Sequence, residues 1–251
     1  MPNSPPRRSE EYNFRGGDLH LSVEQILFRI HSYHFWRGSE YWKRELLGPK
    51  AAPGAETLDV PILQGNSDSD PIFIEDVEPA DFELLLKVFY NDEYGDFSEF
   101  GIADWIMILH LAARWEFAKV KDLAVRHLEK VDMDLIKRIK LYLENKVPDR
   151  YLFRHYVQLA RREELLGLED AHALGIETLE DAALGIETFE DAQALRIKIK
   201  TFVLIQQARE RLRGQASSDA PSRVRTGTQR VDIARIVAST FNLSLEDLGV
   251  V

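Results

Sequence analysis

The sequence predicts an α+β fold, and two observations carry that expectation. Strand-like patterns are confined to the stretch before Asp76, and beyond it the apolar spacing is helical to the end of the 251-residue chain. A small three-stranded sheet flanked by helices, then an all-helical extension, is the expected architecture.

The elements follow in order. Residues 1–16, rich in Pro, Ser, Arg and Glu, lack the apolar run of a signal peptide and read as a disordered lead that stays on the chain. Gly16 and Gly17 punctuate the start of Asp18-Leu19-His20-Leu21-Ser22-Val23, whose alternation of apolar and polar residues fits a half-buried strand. Glu24-Gln25 makes a tight turn into Ile26 to His31, which sets Ile26, Phe28 and Ile30 on one face, so the pair reads as a hairpin. From Tyr33 to Leu47, Phe35, Trp42 and Leu46 recur at helical spacing, and Gly48-Pro49 supplies the stop.

Gly48 to Pro71 concentrates Pro, Gly, Ser and Asp and reads as a long surface loop with a brief extended piece at Leu58 to Leu63. Ile72-Phe73-Ile74 is the third strand. Pro79 suits the first turn of a helix over Ala80 to Tyr90, which carries Phe82, Leu85, Leu86 and Phe89 on one face. After the polar connection Asn91 to Gly101, helices are expected at Ile102 to Trp115 and Ala118 to Lys130, the second striped by Val120, Leu123, Ala124 and Leu128.

The strand signal then ends. Asp134 to Asn145 and Arg150 to Leu165 are amphipathic helices parted by Pro148. Leu168-Glu169-Asp170-Ala171 opens a unit that returns at Leu179 and, degraded, at Phe189, so residues 168–197 read as a tandem duplication whose copies are too short for a solenoid. Helix formers continue from Ile197 to Leu212. Arg213 to Gln229 is a flexible basic linker, and Val231 to Phe241 forms a short terminal helix.

Composition excludes several function classes. A net charge of -10 and a pI near 5.3 argue against a general duplex-DNA binder, which needs a cationic surplus on its contacting face. The absence of cysteine removes disulfide frameworks, thiolate nucleophiles and cysteine-ligated zinc. The most apolar stretch, Trp105 to Trp115, is interrupted by His110 and Arg114 and falls short of a bilayer span. An intracellular chain, cytoplasmic or nuclear and without a membrane partner, is therefore expected.

Motif chemistry is equally sparse. Asn66, Asp68 and Asp70 mimic the opening of a calcium loop, but Pro71 and Val77 occupy the positions that require Gly and Glu. His31 and His34 share a helix face without a nearby third ligand and read as structural histidines. Neither a nucleophile elbow nor a phosphate loop occurs, so no catalytic residue, metal or cofactor is assigned. The cluster Arg209, Arg211, Arg213, Arg223, Arg225 and Arg230 could touch phosphates, although an exposed helix end running into a flexible linker accounts for it more simply. That cluster carries a nucleic-acid accessory role as one rival function, and an enzyme or small-ligand binder in the helical half is another.

Three ordered blocks carry a family resemblance. Asp18-Leu19-His20-Leu21, then Phe28-Arg29-Ile30-His31 followed by Phe35, Ser39 and Trp42, resembles the opening of a BTB/POZ domain. Ile72 to Val77 followed by Phe82, Leu85, Leu86, Phe89 and Tyr90 is similar to the family's second landmark, and Ala112-Ala113 with Trp115, Phe117, Val120, Leu123 and Leu128 to its closing helix pair. The match spans residues 17–131. Residues 132–212, with Asp149 to Leu152 and Arg161 to Glu164, resemble the helical extension of fungal BTB proteins, and residues 213–251 form the basic linker and terminal helix.

This resemblance implies a protein–protein interaction module without catalysis. Its partner would be a second copy or another BTB protein, and its role that of an adaptor to a cullin-type ubiquitin ligase scaffold or a transcriptional complex. In the family the first helix and strand form the dimer contact, helped by a buried Asp near a basic residue. Asp18 fits the acidic position, Ser32 stands at the basic one, and Asp18, His31, Tyr33, Trp36 and Glu40 are the interface candidates. Physical chemistry adds to this independently: Tyr33, Phe35, Trp36, Tyr41 and Trp42 exceed what one side of a small core needs, so some belong at the surface.

Overall fold

The computed structural model describes residues 6–47, 64–93, 95–162, 170–171, 174, 201, 203–211 and 230–241. The fold is mixed α+β, and the chain divides into two compact units, Met1–Val131 and Asp132–Val251. The extended piece expected at 58–63, most of the duplicated segment 168–197 and the linker 213–229 lie outside the described residues.

The first unit begins with β1 (Arg7–Asn13), β2 (Leu19–Val23) and β3 (Ile26–Ile30). Strands β2 and β3 pair antiparallel from Leu19↔Ile30 to Val23↔Ile26, joined through Glu24, whose φ of 51° tightens the two-residue turn. A fourth strand, β4 (Ile72–Ile74), lies parallel to β2, and the sheet order is β1-β3-β2-β4. The sheet thus has four strands where three were expected. The extra one falls in the segment read as a disordered lead: β1 runs parallel to β3, fixed at one end by Arg7 N–H donating to Gln25 O at 2.8 Å and past the other by Phe14 N–H donating to Arg29 O at 2.8 Å.

The single helix expected over residues 33–47 is two, α1 (Ser32–Gly38) and α2 (Glu40–Leu47), parted by Ser39 in an extended conformation. A buried bond network fixes that break. The Ser39 hydroxyl donates to Trp115 O and accepts from Trp42 N–H at 2.9 Å, so one side chain caps α2 and ties it to a distant turn. Three further helices complete the unit: α3 (Pro79–Phe89), α4 (Ile102–Arg114) and α5 (Ala118–Leu128). Pro79 opens α3, where its missing N–H costs no hydrogen bond. Glu116 at φ 55° and Phe117 N–H bonded to Ala112 O turn α4 back into α5.

A core of aromatic rings joins sheet and helices. Phe35 packs edge-on to Trp42 at 5.1 Å and to Phe117 at 5.7 Å, Trp42 meets Trp115, and Phe82 bridges Trp115 to Phe28 on β3. All six of these side chains are buried. Such edge-to-face pairs add directional attraction to ordinary burial.

In the second unit Asp134 caps α6 (Leu135–Glu144) by accepting from Ile136 N–H and Lys137 N–H, and Pro148 precedes α7 (Asp149–Arg161). Helical residues 203–211 (α8) and α9 (Arg230–Phe241) follow. Helix α9 packs on α7, with Phe241 stacked on Tyr156 at 4.4 Å. Arg209, expected on an exposed helix end, is buried at 2% exposure and donates to Leu159 O at 3.0 Å, while Arg211 donates to Thr240 Oγ1. These two arginines serve the packing of the helical unit, and Arg213, Arg223 and Arg225 lie outside the described residues.

Candidate functional site

Helix α1 carries the candidate surface, and its sequence sorts its faces. Ser32 and Phe35 point into the unit, while Tyr33 is 44% exposed and Trp36 half-buried. Their rings meet edge-on at 5.9 Å, and the Arg37 guanidinium sits 5.3 Å from the Tyr33 ring centre. Glu40, exposed, opens α2 beyond the Ser39 break. Trp42 and Phe35 went to the core and Tyr41 is half-buried, so the aromatic surplus is divided between interior and surface.

Asp18 occupies a different place from the one the resemblance implies. It is exposed rather than buried, and its carboxylate oxygens take the Ser32 N–H at 2.8 Å and the Ser32 hydroxyl at 2.6 Å, where the family pattern has a basic partner. Because the N-cap residue His31 makes no side-chain cap, Asp18 reaches in from the turn before β2 to satisfy the first N–H of α1. Arg29, the nearby cation, spends its Nε–H on Gly17 O at 2.9 Å.

His31 and His34 belong to one ring cluster. The Tyr90 hydroxyl accepts the His31 N–H at 2.9 Å and lies 3.1 Å from His31 Nδ1, and Phe14 stacks on the His31 ring at 5.4 Å. His34 stacks on Phe89 at 5.6 Å with 9° between planes and meets Tyr90 edge-on. Burial, with the His31 charge adding to it, pulls the His34 pKa below the ordinary imidazole value, and burial raises that of Tyr90. Both histidines are thus packed against aromatics, with α3 and the β1 exit supplying the partners.

Of the five sequence candidates, Asp18 and His31 flank the start of α1, Tyr33 and Trp36 touch, and Glu40 lies past the break. Sequence reasoning missed Arg37, Tyr90 and Phe14. Arg37 had a signal, since it lies one turn after Tyr33 on the same helix face. Tyr90 and Phe14 had none, because their contacts join separate elements.

The Asp68 carboxylate, considered as a calcium ligand, is taken by protein groups. It accepts from Arg8 Nε at 3.1 Å and bonds His20 Nδ1 at 2.7 Å, which lowers its pKa chiefly through Arg8 and then through His20. Among the described residues no three His, Asp or Glu side chains gather as metal ligands. Open clefts lie among the described residues of the first unit, two of which follow. One of about 370 Å³ is lined by carboxylates that include Glu11, Glu93, Asp96 and Glu99, with Lys87 as a cationic member. In the other, of about 530 Å³, Trp105 and His127 stack at 4.0 Å and Phe97 and Phe100 pack edge-on to Trp105. No helix among the described residues is long and apolar enough to cross a membrane. Comparison with protein-family models, with curated proteins and with solved structures returns no match for the chain.

Proposed function

We propose that the chain is a BTB-type interaction module that self-associates through α1 and has no chemistry of its own. One observation carries this: a short helix buries Ser32 and Phe35 and leaves Tyr33 exposed, with its ring edge-on to the half-buried Trp36. Aromatic side chains that reach the surface are among those that most often anchor protein interfaces. The order of elements supports the family reading: a hairpin, two helices, a strand added parallel to the first hairpin strand, a helix, and a closing helix pair. Partner recruitment, as an adaptor to a ubiquitin ligase scaffold or a transcriptional complex, would then fall to surfaces outside α1.

Light scattering across a range of concentrations tests the proposal. Wild type is expected to rise from the chain mass of 28.9 kDa toward twice that value, and Trp36→Asp to stay at the chain mass. A wild-type monomer at every concentration overturns the proposal.

A further inference from the structure

Strand β4 is one edge of the sheet: β2 pairs with it on one side, and among the described residues no strand pairs with it on the other. An edge strand leaves backbone N–H and C=O groups without a partner in the sheet. Phe73, at the centre of β4, is 71% exposed, the most exposed large apolar side chain among the described residues. The register confines that exposure to the edge. Phe73 lies beside Ser22 and Ser22 beside Leu27, and both of these inner neighbours are buried.

The strand runs into an acidic cleft. Ile74 pairs with Val23, so β2 and β4 end together, and the residues just past them, Glu24, Asp76 and Glu78, line a cleft of about 500 Å³ with Val77 and Asp81. None of these carboxylates enters an ion pair among the described residues. Arg114, the cation at hand, spends its guanidinium on the backbone, donating to Glu75 O at 2.9 Å and to Asp76 O at 3.2 Å. Burial and then the Glu78 charge lift the Asp81 carboxyl above its ordinary value, as they do where acids gather without a counter-charge.

An open strand edge, an exposed phenyl on it and uncompensated carboxylates at its end select one kind of occupant. Main-chain groups of an extended peptide satisfy an open edge, and side-chain contacts beside it give such docking its specificity. An acidic partner, nucleic acid included, would meet its like in the cleft, and a wholly apolar one would cover the carboxylates without pairing them. We propose that β4 is a docking edge for an extended basic segment of a partner protein, which adds as a fifth strand, covers Phe73 with an apolar side chain and carries Lys or Arg into the cleft. The site is separate from α1, so its fate does not depend on self-association there.

Fluorescence anisotropy with the full chain tests it. The probes are labelled Lys-Lys-Val-Thr-Val-Thr, which sets its cations at the cleft when it docks antiparallel, and the reversed sequence, which does so when it docks parallel. At least one of them is expected to bind with a Kd below about 1 mM, and the same peptides with Glu in place of Lys are not. Phe73→Thr is expected to weaken binding about tenfold, and the double substitution Glu24→Gln, Asp76→Asn about fivefold. Because those three side chains are exposed, both variants should keep the wild-type unfolding midpoint. A probe methylated on every backbone nitrogen keeps its charge but cannot pair with the edge, and it should not bind. Absence of binding by both basic probes, equal binding of the methylated probe, or indifference to both variants overturns the proposal. Self-association lost in Phe73→Thr, with no probe bound, puts a second copy on this edge and overturns it as well. None of these outcomes bears on α1, which the light-scattering comparison of wild type with Trp36→Asp tests separately.

Discussion

Asp18 holds the start of α1 from fourteen residues upstream, placing one carboxylate oxygen on the Ser32 N–H and the other on the Ser32 hydroxyl. Ser32 is buried, so removing the carboxylate strands two polar groups at once. Asp18→Ala is expected to cost about 1–2 kcal/mol, in the range of a lost helix cap. Urea unfolding followed by tryptophan fluorescence measures it, and an unchanged midpoint would show that water replaces the carboxylate at no cost.

Gly17 lies tight against the hairpin backbone. A Cβ there would lie 2.9 Å from Arg29 C, Arg29 O and Ile30 N, all backbone atoms that yield only if the strands shift. Gly17→Ala should therefore destabilise by about 2 kcal/mol, as overpacked interior positions do. Its neighbour is the control: a Cβ on Gly16 meets His31 Nε2 only at 3.9 Å, and Gly16→Ala should fall within about 0.5 kcal/mol of wild type. Equal midpoints for the two variants would contradict this.

Asp68 makes stability depend on acid. Its carboxyl is held below the usual range, first by the Arg8 hydrogen bond and then by that of His20, so the folded chain binds this proton less readily than the unfolded chain does. The contribution is complete above the ordinary carboxylate pKa of about 4 and is lost as pH falls through the lowered folded value. Asp68→Asn should be less stable than wild type at pH 7, and the gap should close on acidification. Denaturant midpoints at neutral and acidic pH check the sign; a gap that widens at low pH would contradict it.

His155 acts at milder acidity. It is buried in the helical unit with the Tyr142 ring edge-on at 5.8 Å, and burial, followed by the charges of Arg154 and Arg138, lowers its pKa to about 4. The unfolded chain takes up this proton near pH 6.5 and the folded chain does not, so the stabilisation is whole above about 6.5 and drains away toward pH 4. NMR titration of the His155 ring should show it neutral at about pH 5.5, where an unperturbed histidine is mostly charged. A midpoint near 6.5 would place the ring in water.

Most of the fold was legible because most of it obeys a period. The hairpin, β4, α3 and the pair α4 and α5 emerge where alternation or helical spacing says they should. Strand β1 was hidden for a physical reason. Its pairing with β3 is irregular between Arg8 and Asn13, so its buried residues are Ser9 and Tyr12, three apart, and a period of two never forms. The Ser39 break was hidden for another: Phe35, Trp42 and Leu46 keep helical spacing across it, and the hydroxyl that fixes it depends on Trp115 O, 76 residues away. At the candidate surface, composition and spacing pointed to Tyr33 and Trp36. The Asp18 cap and the His31–Tyr90 contact needed the third dimension, since each joins residues that only folding brings together.

The parallel pairing of β4 with β2 carries a kinetic consequence. Strands β2 and β3 meet across a two-residue turn, a contact that closes within microseconds in isolated hairpins. Leu21 must wait for Ile72, about fifty residues downstream, and closing a loop of that size is entropically opposed until α3 and α4 reward it with burial. The last strand should therefore dock late and set the folding rate of the first unit, with the hairpin as the template on which it lands.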